Sequence, residues 1–190
     1  MDKNILSKLG LEPAPIGSLR SAVGQQLYRD AENIFPWNRS ITGNGVDQTH
    51  DWLSDKVENF MIHEFKSGKA IFDWIVPDEW NVEEAWIKDE DGSILVDFNN
   101  NNLHLLGYSE PVNKTVSKEE LENHLFSLPE MPDAIPYVTS FYDSNWGFCM
   151  TYNQFKNLKD GQYEVCIKSK SVDGYLKTAE FVKKGKSKKE

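Results

Sequence analysis

Four histidines, a few arginines and one dense polar loop are the residues of this chain that could do chemistry. His50, His63, His104 and His124 are the only imidazoles. No two of them show the i, i+4 spacing that puts two nitrogens on one helix face for zinc. A metal site needs three or four converging ligands, so the spacing predicts no metal site within this chain and no cofactor of its own. Nucleophile signals are equally thin. There is no G-x-S-x-G elbow and no P-loop. The carboxylates are numerous but scattered, and no catalytic residue is assigned.

The loop is Phe35-Pro36-Trp37-Asn38-Arg39-Ser40-Ile41-Thr42-Gly43-Asn44-Gly45-Val46. Polar loops on a rigid frame present recognition groups. Asn38, Arg39 and Ser40 are therefore the candidates for contacting a substrate. Arg39 is one of only three arginines, and its planar fork suits a carboxylate. It either clamps a substrate carboxylate or braces the loop against an internal Asp or Glu. Gly43-Asn44-Gly45 precedes a helix, where free N–H groups can receive an anion. A tight turn explains the same glycines. Trp74, Trp80, Trp86, Tyr108, Tyr142 and Trp146 either form a sugar-stacking surface or pack into a core, the commoner fate of aromatics in strands.

These residues need elements to position them. Residues 1–17, with Pro13 and Pro15, read as a loosely held arm. Ser18 is suited to cap a helix reaching about residue 33, whose apolar face is Val23, Leu27, Ala31 and Ile34. Phe35-Pro36 stops it, since proline disfavours helix in the residue before it. A second helix is expected over 45–60, with Val46, His50, Leu53, Val57 and Phe60 on one face. A histidine on such a face reads as partly buried and structural. Residues 61–65 and 69–76 read as a hairpin turning at Lys66-Ser67-Gly68.

From Pro77 onward the chain reads as short strands with regular turns. Strands over 82–88 and 93–98 flank Asp89-Glu90-Asp91-Gly92. A further strand is expected over 103–108. Ser117-Lys118-Glu119-Glu120 is a capping box opening a helix to about residue 126. Strands over 137–142 and 146–152 form an expected hairpin, and Asn153 an expected cap. A last strand pair spans 162–169 and 175–182. The class is α+β. The expected domains are 1–76 (helices and hairpin), 77–169 (a β-rich insertion) and 170–190 (returning strands).

Composition narrows the function classes. The 190 residues are 39% hydrophobic and 12% aromatic, enough for a real core. The net charge of −9 repels phosphate backbones, so no nucleic-acid partner is expected. The basic run 183–189 reads as a solvated tail. No secretory leader opens the sequence, and no stretch approaches the roughly 20 apolar residues of a membrane span. Cys149 and Cys166 read as two buried thiols, not a disulfide. The expected setting is cytoplasmic, with no membrane partner.

Several words of this text carry a resemblance. The loop at 35–46 resembles the opening of a bacterial zinc-aminopeptidase-like family found near surface-polysaccharide genes. The likeness continues through Phe72-Asp73-Trp74-Ile75-Val76-Pro77-Asp78-Glu79-Trp80-Asn81 and Asn102-Leu103-His104-Leu105-Leu106-Gly107-Tyr108-Ser109. It runs on through Asp133-Ala134-Ile135-Pro136-Tyr137-Val138-Thr139-Ser140 and Trp146-Gly147-Phe148-Cys149. The resemblance implies a peptidase-like α/β domain interrupted by a β-rich domain. It implies zinc for the full-length family, but its ligands come after the point where this chain stops, so none transfers to a residue here. The implied function is the N-terminal fragment of a peptide or amide hydrolase, inactive alone, whose partners are the missing C-terminal peptidase half and a peptide or glycan-related small substrate. The alternative is a non-catalytic peptide- or glycan-binding module linked to polysaccharide biosynthesis.

Overall fold

The computed structural model describes residues 22–185. The expected arm over 1–17, the Ser18 cap and the end of the basic tail lie outside them. The architecture is mixed helix and strand, as the α+β reading expects.

The middle of the chain is an antiparallel sheet of four strands. These are β4 (Glu79–Lys88), β5 (Ile94–Asp97), β6 (Val112–Ser117) and β9 (Gln162–Val172), in the spatial order β5-β4-β9-β6. Alternation puts one face inward. Tyr163, Val165 and Ile167 of β9 stand beside Ala85 and Ile87 of β4 on that face. The text Val82-Glu83-Glu84-Ala85 breaks the alternation. A register shift between Val82 and Glu84 absorbs the extra residue, so Val82 and Ala85 both pack inward. Phe148, Met150, Leu121 and Leu158 close the core. Asp89-Glu90-Asp91-Gly92 makes the expected turn, with Gly92 N–H donating to the Asp89 carbonyl at 2.9 Å. The Asp89 carboxylate also accepts from Ser93 N–H at 2.8 Å.

Two short helices cover this layer. The first, α3 (Lys118–Glu122), is capped by Ser117, whose hydroxyl accepts from Glu120 N–H. It stops well short of residue 126, because Leu125–Phe126 forms β7. The second, α4 (Tyr152–Lys156), has Thr151 as its cap, not Asn153. Thr151 and Gln154 satisfy each other reciprocally, which the Asn153 reading overlooked.

The flanks are α1 (Ala22–Ile34), α2 (Asn44–Ser54), β1 (Met61–Lys66), β2 (Ala70–Ile71), β3 (Trp74–Ile75) and β10 (Tyr175–Glu180). Here several expectations are overturned. β1 pairs with β10 across the chain, Met61 opposite Glu180, and not with 69–76. Residues 70–75 make their own small hairpin, with Phe72 at its tip. β9 and β10 do not pair with each other, since β9 is sandwiched between β4 and β6. The second helix ends at Ser54, so Val57 and Phe60 lie beyond it.

The expected hairpin of 137–142 with 146–152 does not form either. β8 (Phe148–Cys149) pairs in parallel with β7. The segment 105–107 has entered between the two runs: Gly107 N–H bonds the Val138 carbonyl and Leu106 N–H the Gly147 carbonyl. That segment is not the strand expected over 103–108, because Asn101 caps a single 3-10 turn at Asn102–His104.

Candidate functional site

The loop after α1 is held by its own ends. Phe35 N–H and Trp37 N–H donate back to the Ala31 and Ile34 carbonyls, completing the last helical turn. The Arg39 guanidinium donates to the Ile34 carbonyl. A cation at a helix C-terminus is favoured by the partial negative charge there. Arg39 therefore braces the loop, but against a main-chain carbonyl and not an acidic side chain. The residue remains exposed. The Ser40 hydroxyl donates to the Thr42 carbonyl at 2.6 Å, and Asn38 is half-buried.

The far end of the loop is stitched to the central sheet. Thr42 is buried, its hydroxyl donating to the Asp78 carbonyl at 3.0 Å. Gly43 takes a φ of 96°, and a Cβ there would sit 2.6 Å from the Trp80 carbonyl oxygen. A Cβ on Gly45 would lie 1.9 Å from the Asn38 carbonyl oxygen. Close approach thus explains both glycines. The Asn44 N–H is taken by the Asn81 side chain at 2.8 Å, so the start of α2 serves the turn and not an anion.

Side chains from distant segments complete a cleft of about 180 Å³ over Asn38, Arg39 and Ser40. Trp80 and Tyr108 form one wall, their rings 5.3 Å apart. Tyr108 holds the left-handed backbone region at φ 63°, unusual for a side chain of that bulk. Its hydroxyl accepts from Ile41 N–H at 3.2 Å. Asn102 donates to the Phe35 carbonyl at 2.6 Å. Tyr137 stands at the mouth, 70% exposed. The three predicted residues are thus brought together, with an aromatic wall and a guanidinium at the rim. The arrangement suits binding of a small ligand with an apolar body and an acceptor group. Sequence reasoning weighed Trp80 and Tyr108 only as generic aromatics and missed Asn102 and Tyr137. The signals for them were the asparagine run 99–102 and the family-like words at 102–109 and 133–140, none of which places the two residues beside the loop.

The other aromatics divide between burial and exposure. Trp80 is buried and its indole N–H donates to the Ser109 carbonyl. Trp146 packs on the core, while Tyr142 is 85% exposed. They do not form one continuous sugar-stacking face.

The histidines stay apart. His63 meets Glu180 at 3.3 Å across the β1–β10 pair. His104, buried in the 3-10 turn, has Nδ1 2.8 Å from the Cys149 carbonyl. His124 follows α3 and stacks on Trp146 at 3.7 Å. His50 packs edge-on to Phe60, its Nδ1 buried without a partner. Among the described residues no three His, Cys, Asp or Glu side chains converge as metal ligands. These residues do not fit a zinc centre.

Electrostatic shifts lie away from the cleft. The hydrogen bond from Lys168 holds the Glu84 carboxyl below its ordinary value, on the solvent side of the sheet. The Asp47 carboxylate raises Lys177, joining α2 to β10. Burial pushes the Cys149 thiol up to about 11. Both cysteines are free and buried, as expected for reduced thiols.

With this geometry in hand, comparison with known proteins adds three findings. Residues 79–170 match a family model described as a domain of unknown function, DUF2172. The chain is 44% identical over 170 residues to a Clostridium acetobutylicum protein with the provisional name polysaccharide biosynthesis protein with aminopeptidase-like domain. That match spans 90% of this chain and 39% of the relative. A crystal structure from the same organism, provisionally named a peptidase, superposes with a TM-score of 0.79 at 46% identity. It covers 84% of this chain and 37% of the other. The chain is related to these aminopeptidase-like proteins and spans about two fifths of their length. Among the described residues no helix is long and apolar enough to cross a membrane.

Proposed function

We propose, from this kinship, that the chain is the scaffold and substrate-access segment of an aminopeptidase-like protein whose full-length form hydrolyses peptides or amides. In this reading residues 77–169 are an inserted β-rich domain. Residues 1–76 and 170–190 belong to the peptidase-like frame. The partner is the remaining C-terminal half, which in the full-length family would carry the zinc. The setting is cytoplasmic.

One observation carries the reading. Among the described residues the flanking elements leave large apolar side chains uncovered, while the central layer encloses a fully buried core. On the β1–β10 pair, Met61, Ile62 and Tyr175 are each more than 40% exposed, and Phe72 at the β2–β3 tip is fully exposed. A two-stranded ribbon is marginal alone in water. Exposed apolar surface of this kind marks an interaction site. A peptidase-like core seated there would cover it.

Asn38, Arg39 and Ser40 then line the approach to the active centre, with Arg39 receiving a substrate carboxylate at the cleft mouth. Among the described residues no metal-ligand set converges, so in this reading the hydrolytic step falls on the remaining C-terminal half.

The test is to join the longer relative's remaining segment to this chain and assay amino-acid amides. Hydrolysis by the joined protein and none by the 190-residue chain is expected. Turnover by the chain alone overturns the reading. A second measurement is dye binding to apolar surface, expected to fall when the remaining segment is present.

A further inference from the structure

A second cavity is larger than the cleft over Asn38. It measures about 440 Å³ and lies between β5 and α4, within the central layer. This is inside the range of small-ligand sites. Its floor is apolar, from Met150, Leu158 and Tyr163, all at most 9% exposed. One wall is the strand β5 itself, through Ile94 and Leu95.

Three features bear on the ligand. First, β5 is the terminal strand of its sheet, so among the described residues its outer edge has no strand partner. Such an edge is a template for another extended chain. Its Leu95 carbonyl accepts from the Gln154 amide at 3.5 Å, the long limit of a hydrogen bond. An incoming peptide N–H replaces that contact at small cost. Second, the opposite wall carries Asn153, Gln154 and Asn157. Asn153 donates to Asp133, Asn157 to the Asn153 carbonyl, and the Gln154 oxygen accepts from Thr151, so the wall offers the Asn153 and Asn157 amide oxygens to an incoming N–H. Amides both donate and accept, as the peptide unit does. Third, one carboxylate and one ammonium line the cavity, Asp89 and Lys159. Their balance suits a neutral or zwitterionic ligand and disfavours a phosphate or a polyacid.

A glycan is the poorer fit. Sugar stacking needs an open aromatic face, and the one ring here, Tyr163, is 3% exposed with its hydroxyl donated to the Lys159 carbonyl. We propose that this pocket binds a short peptide bearing apolar side chains, laid as an added strand against β5. The inference does not depend on the proposed hydrolase role, because it concerns a separate cavity and is read by binding alone.

The test is titration of the isotope-labelled 190-residue chain with an acetylated, amidated pentapeptide alternating leucine and threonine, followed by backbone amide shifts. Saturable shifts centred on Ile94, Leu95, Gln154 and Asn157 are expected. Ile94→Glu, at a position 54% exposed, should weaken binding by about tenfold or more with the spectrum still folded. Asn157→Trp, which fills the pocket mouth, should do the same and guards against a folding defect in the first variant. No saturable shift up to about 5 mM peptide overturns the proposal. So do shifts centred on Asn38 to Ser40, or tighter binding of maltotriose at the same pocket residues.

Discussion

The central layer and the flanks are built from the same kinds of residue and end in opposite states. Residues of β4, β6 and β9 enclose Ile87, Val116, Val165 and Phe148 at no more than 1% exposure. In α1, by contrast, Leu27 and Tyr28 are 63% and 68% exposed, and no residue of the helix is buried. The helix is amphipathic, yet among the described residues Leu27 and Ala31 of its apolar stripe stay exposed, while Val23 and Ile34 are half-buried. Polar ties hold the flank elements together where packing does not: Asp47 to Lys177, His63 to Glu180, Lys56 to Asp30. Ion pairs between exposed groups contribute little. The difference teaches that, among the described residues, the flanks are folded in shape but less closed than the central layer.

The comparison can be broken most directly by truncating one large side chain in each region. Phe148→Ala should cost about 3–5 kcal/mol in urea unfolding, through lost burial and the cavity left behind. Leu27→Ala should stay within about 0.5 kcal/mol. Equal effects would show that α1 is packed after all. Hydrogen exchange sharpens the same contrast: amides of β9 should open only with global unfolding, and those of β1 and β10 far more readily.

Alkali probes the closed region next. Cys149 titrates at about 11 in place of 9.0 because burial disfavours its thiolate. The stabilisation from the neutral thiol is complete below pH 9 and is lost as pH rises toward 11, since the unfolded chain releases the proton first. Two units correspond to about 2–3 kcal/mol. Cys149→Ala should make that slope shallower when its stability is measured against pH beside the unaltered chain, the remainder coming from Cys166 and Tyr163, which burial also raises. An unchanged slope would place the titration elsewhere.

The joint between the regions is Gly43. Gly43→Ala combines a positive φ with the Trp80 carbonyl at 2.6 Å, and should cost about 2 kcal/mol. It should also disturb the amide signals of Asn38 to Ser40, which share that loop. The smallest effect belongs to Asp47→Asn. It removes the carboxylate that meets Lys177 at 2.7 Å, at a partly exposed position. A loss of about 0.5 kcal/mol, vanishing at high salt, is expected.

Much of the local structure was legible in the text. The Asp89 to Gly92 turn, the Ser117 cap, the stop at Phe35-Pro36, the end of β4 at Lys88 and the start of β9 at Gln162 follow from short-range chemistry. The candidate site was half legible. Asn38, Arg39 and Ser40 lie in one loop, so their proximity follows from sequence. Their companions Tyr108, Asn102 and Tyr137 arrive from segments more than sixty residues away, and nothing in the spacing places them there. Thr151 is the cap and not Asn153 because the strand expected over 146–152 ends at Cys149, which frees Thr151 to open the helix.

The sequence by itself determined where the chain turns, which residues alternate toward an apolar face, and which family words it carries. Each of those is a property of a few adjacent residues and needs no distant partner. Only the tertiary structure decided which strand pairs with which. β1 chose β10, and residues 105–107 entered between two runs that were expected to pair. Strand edges offer the same N–H and C=O groups everywhere, so local text cannot rank partners. Burial of side chains across the whole chain does that ranking, and it also decides which apolar stripes stay uncovered.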